Sequence, residues 1–245
     1  MDPRIERRLR SEPPVSAVVP GSTPVPSFGD ATAARVATLG INPSRLEFVD
    51  KTGTLLRGDA ARFVSLAALG RARLADAPSN EVLQVWEGCR CYFQHRPYRR
   101  WFDRLEEQLR AVGASYYDGS AAHLDLAHWA TNPVWGKLTV ADREVLLDDG
   151  RSLLAWQLTQ PHLRLVLING RAVLDAFTRW SAQVPKVVAE FPGLRGTCAK
   201  IQRFQASTGV TVLAWSTNLQ SSLGVTRMFR QTLARTLAAL HKRAV

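Results

Sequence analysis

Cysteine is scarce in this chain: among 245 residues only Cys89, Cys91 and Cys198 are cysteine. An odd number without zinc-type spacing argues against a disulfide framework and for reduced thiols in a cytoplasmic protein. Long apolar runs are missing too. None approaches the roughly 20 residues of a membrane span, so a membrane-bound class is not expected. Arg4, Arg7, Arg8 and Arg10 are not followed by an apolar segment, so a secretory signal is not expected either. Acidic residues are few: 21 stand against 32 Lys and Arg, a formal net charge of +11 and a pI near 10.4. Such an imbalance points to a polyanionic partner, nucleic acid foremost. What the chain does have is apolar mass. Its 46% hydrophobic content is enough for the core of one α/β domain or two small ones.

Residues 1–27 are rich in Arg and Pro. The first ten can form a short helix, but prolines recur too often from Glu12 to Pro26 for a longer one. The segment reads as a surface arm, followed by a single domain over residues 28–245. Within that domain apolar runs alternate with helical periods. Strands are expected from Arg35, over Ala121–Leu126, over Leu163–Ile168, and as a pair at Ala199–Ser207 and Val210–Trp215. Helices are expected over Asp59–Leu69, Glu81–Cys91, Pro97–Val112, Val140–Leu158, Arg171–Trp180 and Val225–Leu240. The alternation implies a mainly parallel sheet whose loops gather at the strands' C-terminal ends.

The stretch Arg35 to Ser44 organises the rest. Val36, Ala37 and Leu39 make a short buried strand, Gly40 allows a sharp turn, and Pro43 ends the pairing. Asn42 is thereby held at a strand's C-terminal rim. There its amide can hold water by donor and acceptor together, or simply bond its own turn. The loop from Arg45 to Gly58 has no period and reads as functional, and it contains Phe48. The loop from His128 to Trp135 gathers large and polar side chains. His123 and His128 flank Asp125, but no third ligand stands at useful spacing, so no metal and no cofactor is expected.

Four motifs occur in a telling order: Gly40-Ile41-Asn42-Pro43-Ser44, the strand ending at Asp125, Leu167-Ile168-Asn169-Gly170, and the loop from Trp215 to Ser222. Together they resemble the uracil-DNA glycosylase superfamily, over roughly Phe28 to Leu240. The first motif is similar to the form found in the mismatch-specific branches. The final loop lacks the His-Pro-Ser sequence of the best-known branch, and Asn42 stands where that branch has a carboxylate. The iron–sulfur branches need four cysteines, so no cluster is expected. The resemblance implies a three-layer α/β/α sandwich around a mainly parallel four-stranded sheet. It also implies hydrolysis of the N-glycosidic bond of a base flipped out of double-stranded DNA by a monomeric, monofunctional enzyme. Asn42 would position the water. Phe48 or Phe63 would stack on the base. His128 would donate to the base or sugar. Ser216 and Asn218 would meet phosphate or a base oxygen, and Leu219 or Gln220 would wedge into the gap. Ser44, Ser221, Ser222 and Arg227 complete the set expected at DNA.

Asp125 is the informative departure, because the superfamily commonly places an amide there to read the pyrimidine edge. An ionised carboxylate only accepts hydrogen bonds. It repels uracil O4 and welcomes the N4 amino group of cytosine. A modified cytosine is therefore the expected base, as for the anti-phage glycosylases of this superfamily that excise glucosylated 5-hydroxymethylcytosine. Alternatives remain: a uracil or mismatch repair glycosylase, a non-catalytic DNA-binding protein on the same fold, or a hydrolase of free nucleosides. The bland alternative for Asp125 is a salt bridge to His123 or a neighbouring Arg.

Overall fold

Short apolar runs flanked by turn residues build the centre of this chain. The structure, a computed structural model, describes residues 1–204, 209–220 and 224–242. Strands β1 (Val36–Gly40), β2 (Ala121–Asp125), β3 (Leu165–Asn169), β4 (Lys186–Pro192), β5 (Cys198–Phe204) and β6 (Thr211–Trp215) join one mixed sheet in the order β2-β1-β3-β6-β5-β4. β1 pairs with β3 and β3 with β6 in parallel, in register from Val36↔Leu165 and Leu165↔Thr211. Every residue of β3 is buried, as is the run Val36–Leu39 of β1. Continuous burial marks strands covered on both faces, which is why these runs do not alternate with polar residues.

The expectation of four strands is corrected: the described residues form six. β5 pairs antiparallel with β6, and β4 with β5. β4 escapes sequence reading because Phe191 is its one buried residue, so it lacks a half-buried period and ends in Pro192. The helices are α1 (Pro3–Leu9), α2 (Ser79–Arg90), α3 (Arg99–Ala111), α4 (Val140–Gln157), α5 (Arg171–Ser181) and α6 (Arg227–Lys242). None is long and apolar enough to cross a membrane among the described residues. The helix expected over Asp59–Leu69 does not form. Single 3-10 turns occupy Gly58–Ala60 and Ala67–Leu69, and between them Phe63 and Ser65 are buried at a spacing of two, the period of extended chain. On α3 the buried face is Phe102, Leu105 and Leu109, with Trp101 only half-buried.

The chain divides into two compact units: Met1–Ala31 with Ile41–Pro97 and His123–Gln157, and Thr32–Gly40 with Tyr98–Ala122 and Leu158–Val245. In the first, the N-terminal 27 residues are packed rather than draped. Asp2 caps α1, Ile5 and Leu9 are buried, and Arg8 bonds Asp149 of α4. Further along, the Val19 and Val25 amides donate to the Ala130 and His128 carbonyls. In the second, α5 packs on β3 and β6, and α3 on α6.

Gly150 of α4 shows how tightly the first unit closes. A Cβ there would lie 2.1 Å from the Leu126 carbonyl oxygen. Helix propensity alone favours alanine over glycine by about 1 kcal/mol. The clash outweighs it, so Gly150→Ala should lower the unfolding free energy by about 3 kcal/mol in urea titration. An unchanged midpoint would contradict this packing.

Candidate functional site

Asn42 follows β1 directly. Its Nδ2 donates to the carbonyls of Pro43 and Trp129, each at 3.1 Å, and to Thr131 Oγ1 at 3.2 Å. The amide is thus oriented by two separate segments. No hydrogen bond to its Oδ1 is made among the described residues, and the side chain is only half-buried. It is more than an Asx turn, since two of its acceptors lie 87 and 89 positions away. The next residues make a 3-10 turn, Arg45–Glu47, which Ser44 caps by accepting the Leu46 amide at 3.2 Å.

That turn drives Glu47 inward. The side chain is 2% exposed, and the Tyr92 hydroxyl donates to its Oε2 at 2.7 Å. Arg62 Nε lies 4.0 Å from the same oxygen. Burial pushes the Glu47 carboxyl up to about 7; Tyr92 and Arg62 oppose the rise, and the charge of Asp125 adds to it. Around these groups stands an aromatic shell. Phe63 stacks with Phe48 and with Tyr92, at centroid distances of 5.4 and 4.9 Å. Phe28 meets Phe63, Tyr92 and His123 edge-on. Phe48 and Phe63 are both buried.

β2 carries His123 and Asp125 on one face, two residues apart. Asp125 is 2% exposed, and His123 Nε2 lies 3.4 Å from its Oδ1. Neither oxygen of Asp125 receives a hydrogen bond among the described residues. An acceptor left so typically costs about 1–3 kcal/mol, more when charged. His128 lies beyond the strand and is fully buried, with no hydrogen bond to either ring nitrogen among the described residues. Burial first, then the nearby Arg8 charge, pushes its pKa down to about 3, so the ring stays neutral. A ring so enclosed does not present a donor to an open pocket. Cys89 is buried, and burial pushes its thiol up, which makes it inert.

In the second unit the loop after β6 hangs on Asn169, the last residue of β3. Its Oδ1 accepts from Trp215 Nε1 at 2.9 Å and from the Leu219 amide at 3.0 Å. Its Nδ2 donates to Asn218 Oδ1 at 3.3 Å and to Gln220 Oε1 at 3.1 Å. Gln220 Nε2 in turn donates to the Trp101 carbonyl at 3.2 Å. Gly170 adopts φ +102°, and a Cβ there would lie 3.0 Å from Asn218 Cβ, so the loop needs glycine at this point. Ser216 is exposed, as is Arg227 at the start of α6, whereas Leu219 is buried in the loop and does not project. Ser221 and Ser222 lie outside the described residues.

The structure therefore brings together Asn42 with the His128–Trp135 loop, and Phe48 and Phe63 with each other. Glu47, Tyr92 and Arg62 were not foreseen. The aperiodic loop that carries Glu47 stood out in the sequence, but its partner Tyr92 sits 45 positions away, and no spacing rule links the two. Asn169 was legible as a turn residue, not as the anchor of a loop. No protein-family model matches the chain, and no curated protein matches it.

The two perturbed groups give stability a defined pH signature. Glu47, raised from 4.5 to about 7, takes up a proton on folding in that window, so its contribution falls as pH rises through it. His128, lowered from 6.5 to about 3, sheds a proton on folding, so its contribution rises with pH up to 6.5. Between pH 4.5 and 6.5 the two slopes oppose each other. Glu47→Gln removes only the first. The unfolding free energy of the variant minus that of the wild type should rise by about 3 kcal/mol from pH 4.5 to 7, read by denaturant titration at each pH. A flat difference would show that Glu47 titrates normally.

Proposed function

We propose that this protein is a DNA glycosylase that hydrolyses the N-glycosidic bond of a flipped-out pyrimidine, a modified cytosine such as glucosylated 5-hydroxymethylcytosine, and leaves an abasic site. The observation that carries the reading is Asn42, with Nδ2 held by three acceptors and Oδ1 left to accept from water. The motif order in the sequence and the net charge of +11 support it. In this reading the α/β fold is the three-layer sandwich of the superfamily, and DNA phosphates are held by basic side chains.

The chemistry follows from the residues. As the C1′–N1 bond stretches, positive charge grows on the sugar and negative charge on the base. A cationic sugar needs no strong base to activate its nucleophile. Water accepted and oriented by Asn42 Oδ1 can add to C1′ once the base departs, which is a positioning role. Asp125, with both oxygens lacking hydrogen bonds among the described residues, accepts from the N4 amino group of the base. That contact replaces the cost of an unsatisfied buried carboxylate with a charge-assisted bond. Uracil, with O4 in that place, gains no such bond.

Phe48, Phe63 and Tyr92 stack on one another and are buried. Asp125 is 2% exposed, so in this reading a base reaches it only when buried side chains around it move, and Phe48 or Phe63 then offers a face for the base. That same closed stack favours a second reading, a DNA-binding protein that has no base pocket. The readings separate on Asn42→Ala. In a glycosylase the substitution should lower single-turnover base release roughly a hundredfold or more. It should leave DNA affinity within about twofold, because phosphate contacts dominate binding. Asp125→Asn should at the same time move preference towards uracil. Unchanged release in the Asn42 variant would overturn the role given to Asn42.

A further inference from the structure

Helix α3 of the second unit carries cations that its own fold does not use. Arg99 pairs with Asp103 at 3.5 Å, and Arg110 with Glu106 at 3.0 Å. Arg100 and Arg104 are exposed and have no carboxylate partner among the described residues. Along a helix a pair reaches three or four positions, and within that reach of these two arginines α3 offers only Asp103 and Glu107. Both acids are taken. Asp103 also accepts from the Tyr117 hydroxyl, and the Tyr117 ring lies 4.5 Å from the Arg99 guanidinium. Glu107 is held at 3.2 Å by Arg230 of α6.

Arg100 and Arg104 are thus an uncompensated like-charge pair at i and i+4, an arrangement that by itself weakens a helix. Arg100 also stands in the first turn, where the helix dipole disfavours a cation and no acid offsets it. Local structure gives no reason for two cations here. An anion from outside the chain does.

Their place in the fold says which anion. The carbonyl of Trp101, next to Arg100 in the chain, accepts from Gln220 Nε2 at 3.2 Å. Gln220 belongs to the loop after β6, and Asn169 of β3 holds its Oε1. Further along α3, Gln108 Nε2 donates to the Arg230 carbonyl of α6 at 3.2 Å. The loop and α6 are therefore tied to α3 at Trp101 and at Gln108, and Arg104 stands between these two ties. The described part of the loop, Ser216 to Gln220, has hydroxyl and amide groups but no charge. It can hydrogen-bond a phosphate without neutralising one. The two arginines supply the missing charge.

We propose that Arg100 and Arg104 form a rail for a DNA strand, holding successive phosphates beside the loop after β6. The inference rests on the DNA partner of the reading above, not on base hydrolysis. Each guanidinium offers a planar fork of donors that matches phosphate oxygens in pairs. Such contacts fix the position of a strand and carry no base preference. The rail sets where the strand lies along α3, and the loop, tied to the same turn, is set with it.

The test is a fluorescence-anisotropy titration of a labelled, unmodified duplex with the full-length protein, from about 50 to 200 mM salt. Arg100→Gln with Arg104→Gln removes two phosphate contacts. The slope of log K against log salt should become shallower by about 1.8, and affinity at the lowest salt should fall roughly tenfold or more. Arg100→Lys with Arg104→Lys keeps both charges and should keep most of the slope. Arg7→Gln with Arg164→Gln removes the same charge from exposed arginines elsewhere and should flatten the slope by less than about half as much. Equal flattening by the two Gln pairs would reduce the effect to net charge and overturn the rail. A wild-type slope in the Arg100 and Arg104 variant would overturn the rail and leave the DNA partner standing. No salt-dependent binding by the wild type would overturn the DNA partner and the rail with it. The thermal midpoint of the Arg100 and Arg104 Gln pair should match or exceed the wild type, because a repulsive pair is removed. A fall of several degrees would show that the fold does use these arginines and would overturn the inference.

Discussion

Burying a carboxyl group costs free energy unless a donor, a cation or a proton compensates it, and the first unit buries two. Glu47 is compensated by a Tyr92 hydrogen bond, by Arg62 at 4.0 Å, and by a raised proton affinity. Asp125 has His123 at 3.4 Å and no hydrogen bond to either oxygen among the described residues. An aromatic shell of Phe28, Phe48, Phe63 and Tyr92 keeps water from the region and so maintains the cost. A chain selected for stability alone would do as well with apolar side chains at these places. Asp125 makes physical sense as stored capacity for a ligand that brings a hydrogen-bond donor, as the N4 amino group of the proposed base does.

The second unit solves a different problem. A loop that follows a buried strand must keep its shape while its backbone leaves the sheet. Asn169 achieves this by spending both ends of one buried amide on Trp215, Leu219, Asn218 and Gln220. The loop is therefore set by β3 as much as by β6, its own parent strand. In the proposed function, Ser216 is free to meet a phosphate, because the fixed part of the loop lies after it. Gln220, tied to Asn169 and to the Trp101 carbonyl, is better placed than buried Leu219 to remain at the loop's surface.

Periodicity made the core strands legible. Val36–Leu39, the residues around Leu124, and Leu165–Ile168 are apolar runs whose burial follows from their composition. Most helices were legible to within a few residues for the same reason; Thr139, for instance, accepts the Asp142 amide as the cap of α4. What failed to show was structure set by distant partners. β4 is an exposed strand held by β5, and residues 59–69 stay non-helical because Phe63 is recruited by Phe28, Phe48 and Tyr92. Asn42 could be singled out from its turn, but its anchors at Trp129 and Thr131 could not. Glu47 was invisible because its environment is assembled from three separate segments, and charge next to an apolar run usually means a solvated residue.

The central claim is that this protein breaks an N-glycosidic bond. Its most direct test is base release from matched duplexes that carry uracil, cytosine, 5-hydroxymethylcytosine or its glucosylated form, with abasic sites revealed by alkaline cleavage. The account predicts cleavage confined to the modified cytosines. Cleavage of uracil DNA alone would contradict the role given to Asp125, and tight, salt-sensitive binding with no cleavage of any duplex would contradict the claim itself.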